Sequence, residues 1–205
     1  MHIAIAGNIG VGKTTLCKML SKHYKWNPLY EAVDNNPYLD NFYEDMQRWS
    51  FNLQVFFLNS RFRQVKDIIE SKKDIIQDRT IYEDAFIFAP NLHAMGLMTL
   101  RDYENYLDLF NLMESFVSPP DLLIYLRSSI PALVDKIQDR GRDYEEGIRI
   151  DYLKRLNERY EAFFAKYKHN HLVIQATEID FQNSSTDFKS IIDKIDKNLK
   201  QNKLK

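Results

Sequence analysis

The sequence predicts an α/β fold of three layers, a five-stranded parallel sheet with helices on both faces, and three observations predict it. Short apolar runs bounded by polar turns alternate with longer stretches whose apolar residues recur at helical spacing, the pattern of βαβ units. A glycine-rich loop separates the first such run from the first helical stretch. The chain has 205 residues, 44% of them hydrophobic, and no Gly/Ser-rich or Pro-rich linker and no repeat divides it, so it reads as one domain over 1–205.

Taken in order, the strands are expected at His2 to Ala6, Asn27 to Glu31, Asp74 to Gln77, Leu122 to Leu126 and His171 to Gln175. The helices are expected at Lys13 to Tyr24, Trp49 to Ile69, Arg101 to Phe116, Ile130 to Asp139 and Ile150 to Tyr167. A terminal helix follows from Ile191, with Ile192 and Ile195 as its apolar stripe, and frays into a solvated basic tail over 191–205 that carries Lys194, Lys197, Lys200, Lys203 and Lys205.

Charge excludes some functions. With 28 Lys+Arg against 29 Asp+Glu the net charge is -1, whereas nonspecific binding to nucleic acid needs a basic excess. No apolar run of about 18 residues exists and the amino terminus enters HIAIAG directly, so neither a membrane span nor a secretory signal is expected, and the cytoplasm is the expected compartment. The single Cys17 forms no intrachain disulfide and lies in an apolar helical pattern, as a core residue would. His169 and His171 form an HxH pair without a third ligand in register, so no metal is assigned to them.

The segment Gly7-Asn8-Ile9-Gly10-Val11-Gly12-Lys13-Thr14-Thr15 satisfies GxxxxGK[ST] where a strand turns into a helix. Its glycines let successive N–H groups point at phosphate oxygens, the helix amino terminus adds positive potential, Lys13 adds a point charge, and Thr14 can ligate Mg²⁺. A nucleoside triphosphate site follows. The guanine-nucleotide switch signatures are missing and no second nucleotide-binding module is present, which leaves a small phosphotransferase.

Glu31 closes the second expected strand and Asp78-Arg79 the third, at the sheet edge where ligands meet an open α/β fold. Two carboxylates and a guanidinium therefore converge near the terminal phosphate, and either carboxylate could take a proton from an acceptor hydroxyl.

These residues, with others, resemble the deoxyribonucleoside kinases of the deoxycytidine, deoxyguanosine and deoxyadenosine kinase group. The resemblance spans nearly the whole chain. It is carried by the phosphate loop; by Glu31 in ExVxxNP; by WSFxxQ at Trp49 to Gln54 with Ser60-Arg61; by DRTIYED at Asp78 to Asp84; by IFAPNL; and by RGRDYEEGI. It implies a P-loop kinase fold with an arginine-bearing lid at about 140–147, ATP as donor, Mg²⁺, and a homodimer formed through helices.

The same resemblance implies roles. Glu31 would lie by the nucleoside 5′-hydroxyl as the base, with Asp78 near Mg²⁺ or its waters, and Arg79 would orient the base and steady the transferred phosphoryl group. Gln54 would hydrogen-bond the nucleobase, Arg61 and Asp84 would form a buried pair that accepts from an exocyclic amine, and Phe57 and Phe88 would flank the base. Tyr43 and Glu145 would hold the sugar 3′-hydroxyl, and Arg140 and Arg142 would close on ATP. Lys136 stands where some relatives carry a further arginine. Deoxyadenosine is the preferred acceptor, ahead of deoxyguanosine and deoxycytidine, because Gln54 and Asp84 both serve an amino-bearing edge, and thymidine should be poor. The rival readings are a thymidylate-kinase-like nucleoside monophosphate kinase and a noncatalytic ATP-binding subunit.

Overall fold

Side chains along β1 (His2–Gly7) alternate between two cores, and that alternation builds the layers. Ile3 and Ile5 face one core with Leu16, Cys17 and Leu20, while Ala4 and Ala6 face the other with Phe57, Tyr125 and Tyr160. The small alanines leave room for an aromatic stack in which Tyr125 lies flat against Phe164 and Tyr160, with ring centroids 4.2 and 5.7 Å away. The computed structural model describes residues 1–33, 36–71, 73–142, 145 and 147–202. Asp34 and Asn35 of ExVxxNP, residues 143, 144 and 146 of the expected lid, and Lys203 and Lys205 of the tail lie outside these.

Five strands pair in parallel in the order β2-β3-β1-β4-β5, where β2 is Asn27–Leu29, β3 Ile75–Asp78, β4 Leu122–Arg127 and β5 His171–Gln175. The connection leaving β1 leads outward to β2 and that leaving β3 leads to β4 on the other side. The carboxyl ends of β1 and β3 therefore flank a topological switch point, where an open α/β sheet binds its ligands.

The helices are α1 (Lys13–Tyr24), α2 (Leu39–Glu44), α3 (Met46–Ser71), α4 (Ile81–Glu83), α5 (Ala89–Ala94), α6 (Leu100–Glu114), α7 (Ile130–Arg140), α8 (Ile150–Lys166) and α9 (Ser185–Asn202). α1 matches its expected range. β2 does not: it stops at Leu29, so Glu31 stands two residues beyond the strand rather than at its end. Edge strand β2 has only β3 to pair with, and Pro28 offers no N–H.

Two helical regions carry no expectation from periodicity. One is α2. The other runs from α4 through a π-helical turn at Asp84–Phe88 into α5, where Pro90 occupies the first turn. The wider π turn brings Asp84 and Phe88 onto the same cavity wall. α9 begins six residues before Ile191 and is docked, with Ile191, Ile192 and Ile195 all buried in the Ile3 core.

Candidate active site

The phosphate loop is built by backbone that glycine alone adopts without strain. Gly10 has φ 82, and a Cβ there would meet Ile137 Cγ1 at 2.6 Å. Gly12 precedes α1 with φ 101. Lys13 Nζ donates to the carbonyls of Gly7 at 2.9 Å and Asn8 at 3.1 Å, so the ammonium is held inside the loop. Burial and the Arg79 charge push its pKa down to about 8, against the pull of Asp78, Glu31 and Glu83.

Ile9 through Thr15 line a cavity of 1060 Å³ above the switch point. Gly7 and Asn8, expected among the phosphate-binding residues, lie behind its wall. Gly7 is turned toward Glu83, and the Asn8 amide donates to Leu153 O and Asn157 Oδ1 on α8.

Thr14 Oγ1 donates to Asp78 Oδ2 at 2.5 Å, and Asp78 Oδ1 is buried with no partner. A hydroxyl and a carboxylate with an orphaned oxygen are hard oxygen donors, and Mg²⁺ is commonly held by one or two such groups, with phosphates and waters completing its shell. The residues fit the ion. Among the described residues there is no cluster of three His, Cys, Asp or Glu able to hold a metal by itself.

Glu31 sits between two guanidinium groups. Its Oε1 lies 2.8 Å from Arg61 Nη2 and 2.8 Å from Arg79 Nε. Burial would push the carboxyl up, but Arg79, Arg61, Lys13 and Arg142 outweigh it and hold the pKa down to about 2. Arg79 adopts φ 70, a left-handed conformation that costs a non-glycine residue roughly 1–2 kcal/mol, and its guanidinium lies 4.4 Å over the Phe88 ring.

Arg61 is fully buried and does not reach the cavity wall. It faces Asp84 at 3.5 Å as expected, but its shorter contact is with Glu31, and it also donates to Asp78 O at 3.2 Å. Burial pushes Asp84 up to about 7, against Arg61 and Arg79. Gln54 is buried on the same wall, and its Oε1 has no partner.

Phe57, Phe88, Tyr43, Glu145, Arg140 and Arg142 line the cavity too. Glu145 accepts from Arg140 and lies 3.6 Å from Arg142, while Lys136 Nζ donates to Ala176 O at 3.3 Å. Two groups escaped the reading of motifs. The loop from Thr177 to Asn183 after β5 closes one end of the cavity, with Phe181 packed over Gly12. Glu83 and Tyr160 stand behind Arg79. Glu83 lies within DRTIYED, but no local pattern marks Tyr160 or the loop.

The model of the deoxynucleoside kinase family matches residues 3–200. The chain belongs to that family. It is 38% identical over 197 residues to the deoxyadenosine/deoxycytidine kinase of Bacillus subtilis (strain 168), covering 94% of this chain and 90% of the relative. It is 36% identical over 209 residues to a deoxyguanosine kinase of Lactobacillus johnsonii, covering 97% and 92%. A solved structure of deoxyadenosine kinase from M. mycoides, with the products dCMP and a flexible dCDP bound, matches with a TM-score of 0.86 at 32% identity, covering 96% of this chain and 100% of that one. As a deoxynucleoside kinase, the protein is a phosphotransferase with an alcohol acceptor, and the monophosphate-kinase and noncatalytic readings are set aside. No helix among the described residues of the kinase is long and apolar enough to cross a membrane.

Proposed function

We propose that the kinase transfers the terminal phosphoryl group of ATP to the 5′-hydroxyl of deoxyadenosine first, with deoxyguanosine and deoxycytidine as further acceptors and Mg²⁺ as the metal. The observation that carries the reading is Glu31, clamped at 2.8 Å by both Arg61 and Arg79 on a cavity it shares with the phosphate loop and with Gln54, whose Oε1 is unpartnered.

Held near 2, Glu31 stays ionised through the working pH range and can accept the hydroxyl proton without first losing its own. So depressed a pKa makes a weak base. In a loose phosphoryl-transfer transition state the hydroxyl carries little positive charge, so aiming it at phosphorus matters more than base strength. Lys13 and the loop N–H groups take the donor phosphates, and Arg79, Arg140 and Arg142 offset charge on the group in flight. Thr14 and Asp78 would hold Mg²⁺, which when bound neutralises donor phosphate charge.

Gln54 can accept from and donate to adenine at once, and Asp84 as a carboxylate accepts from an exocyclic amine. Thymine presents a carbonyl to that acceptor, which makes thymidine a poor substrate. Tyr43 and Glu145 take the sugar 3′-hydroxyl, Phe57 and Phe88 flank the base, and residues 140–147 act as the lid. We read the enzyme as one domain over 1–205, cytoplasmic and homodimeric. Support for the dimer comes from exposed apolar side chains, Ile69 near the end of α3, Leu112 on α6 and Phe116 just beyond α6, which are 61, 65 and 63% exposed.

The test is kcat/KM with ATP and Mg²⁺ for the four deoxynucleosides, their ribose counterparts and their monophosphates. Deoxyadenosine ahead of the rest supports the reading. Deoxycytidine or deoxyguanosine far ahead overturns the base preference, and turnover of monophosphates alone overturns the reaction.

A further inference from the structure

Glu83 is fully buried at the end of the short helix α4 and is absent from the cavity wall, yet it holds the parts of the site on either side of it. Its Oε1 accepts from the Gly7 N–H at 3.2 Å and from the Tyr160 hydroxyl at 2.7 Å, and it lies 3.9 Å from Arg79 Nη1. Its Oε2 accepts from the Thr80 N–H at 2.8 Å. Tyr160, also buried and off the wall, lies 2.8 Å from Gly7 O and receives a hydrogen bond from Arg79 Nη1 at 3.2 Å.

A hydroxyl has one proton and here two acceptors. Lys13 already donates to Gly7 O, so the Glu83 carboxylate is the stronger claimant, and the bonds run in one direction from Arg79 through Tyr160 to Glu83. Burial pushes the Tyr160 phenol up, which keeps it a donor. Arg79 thus stands between two carboxylates, Glu31 on the cavity and Glu83 behind it.

We propose that Glu83 and Tyr160 are positioning residues, a buried brace that fixes the Arg79 guanidinium relative to Gly7 at the root of the phosphate loop. The brace has a further consequence. When Glu31 turns to an acceptor hydroxyl, Arg79 keeps a counter-charge in Glu83 and holds its place at the phosphoryl group. The inference rests on the role given to Arg79 above.

Tyr160→Phe removes the hydroxyl and keeps the ring in its aromatic stack, so it tests the brace with the least damage to the core. With the acceptor that wild type turns over fastest, kcat falls at least about tenfold while KM for that acceptor stays within about threefold, and Glu83→Gln behaves alike if it folds. In a cycle with Arg79→Lys, the Tyr160→Phe loss shrinks to about twofold, because both changes remove the same aim. A structural role alone predicts a lowered Tm with unchanged kcat per folded enzyme and losses that multiply in the cycle; either result overturns the brace. A wild-type enzyme inactive with every nucleoside instead overturns the proposed reaction, and the brace with it.

Discussion

Arg140 and Glu145 hold one another on the wall of the cavity: Arg140 Nε donates to Glu145 Oε2 at 3.0 Å and Nη2 reaches both carboxylate oxygens. One carboxylate therefore answers to the Arg140 guanidinium and, in the proposed function, to the sugar 3′-hydroxyl.

Glu145→Gln weakens both roles. The acceptor KM is expected to rise about fivefold to tenfold, and removal of the 3′-hydroxyl from the acceptor should cost the variant less than it costs wild type. Initial rates with deoxyadenosine and its 3′-deoxy analogue check this. Equal losses in both enzymes would separate Glu145 from the sugar.

Asp84 sets a pH dependence. Burial raises its pKa to about 7, so above that value it is a carboxylate that accepts from an exocyclic amine, and below it carries a proton. The KM for deoxyadenosine is expected to climb several-fold as pH falls from about 8 to about 6. Asp84→Asn should flatten the profile, and a variant that keeps the wild-type slope points to another group.

Thr14 and Asp78, 2.5 Å apart, make the Mg²⁺ requirement testable. Thr14→Ala is expected to raise the Mg²⁺ concentration for half-maximal rate by about tenfold, read by titrating the metal at saturating ATP. An unchanged titration curve removes Thr14 from the metal site.

Ile195 places the terminal helix in the core rather than in a fraying tail. Ile195→Ala should cost about 2–5 kcal/mol, read from urea denaturation, since the side chain is fully buried beside Ile3 and Leu16. A loss below about 1 kcal/mol would mean that α9 is dispensable.

The parts of the fold that were legible are those with a local signature. α1 was readable because a loop of glycines and a lysine announces its start, and β1 because its apolar run is buried on both faces. β2 was overextended because the apolar pattern says nothing of how far an edge strand finds a partner. The run from Ile81 to Ala94 hid its helices behind Pro90 and a π turn, whose period matches neither 3.6 nor 2.

The proposed ligand-binding residues sit in recognisable motifs, and most of them line one cavity. Supporting contacts leave no such trace. Arg61 stands on a helix 30 residues from Glu31, and Tyr160 is 77 residues from Glu83. The family resemblance pairs Arg61 with Asp84 but not with Glu31, and nothing around Tyr160 shows that its phenol will be buried against a carboxylate.

In the proposed reaction Glu31 is the group that receives the hydroxyl proton. The most direct test is Glu31→Gln, with single-turnover rate and deoxyadenosine affinity measured separately. We predict a rate lower by about 10²–10⁴, the range for loss of a general base, with affinity within about threefold of wild type. Wild-type turnover in that variant would exclude Glu31 as the base and assign the proton to Asp78.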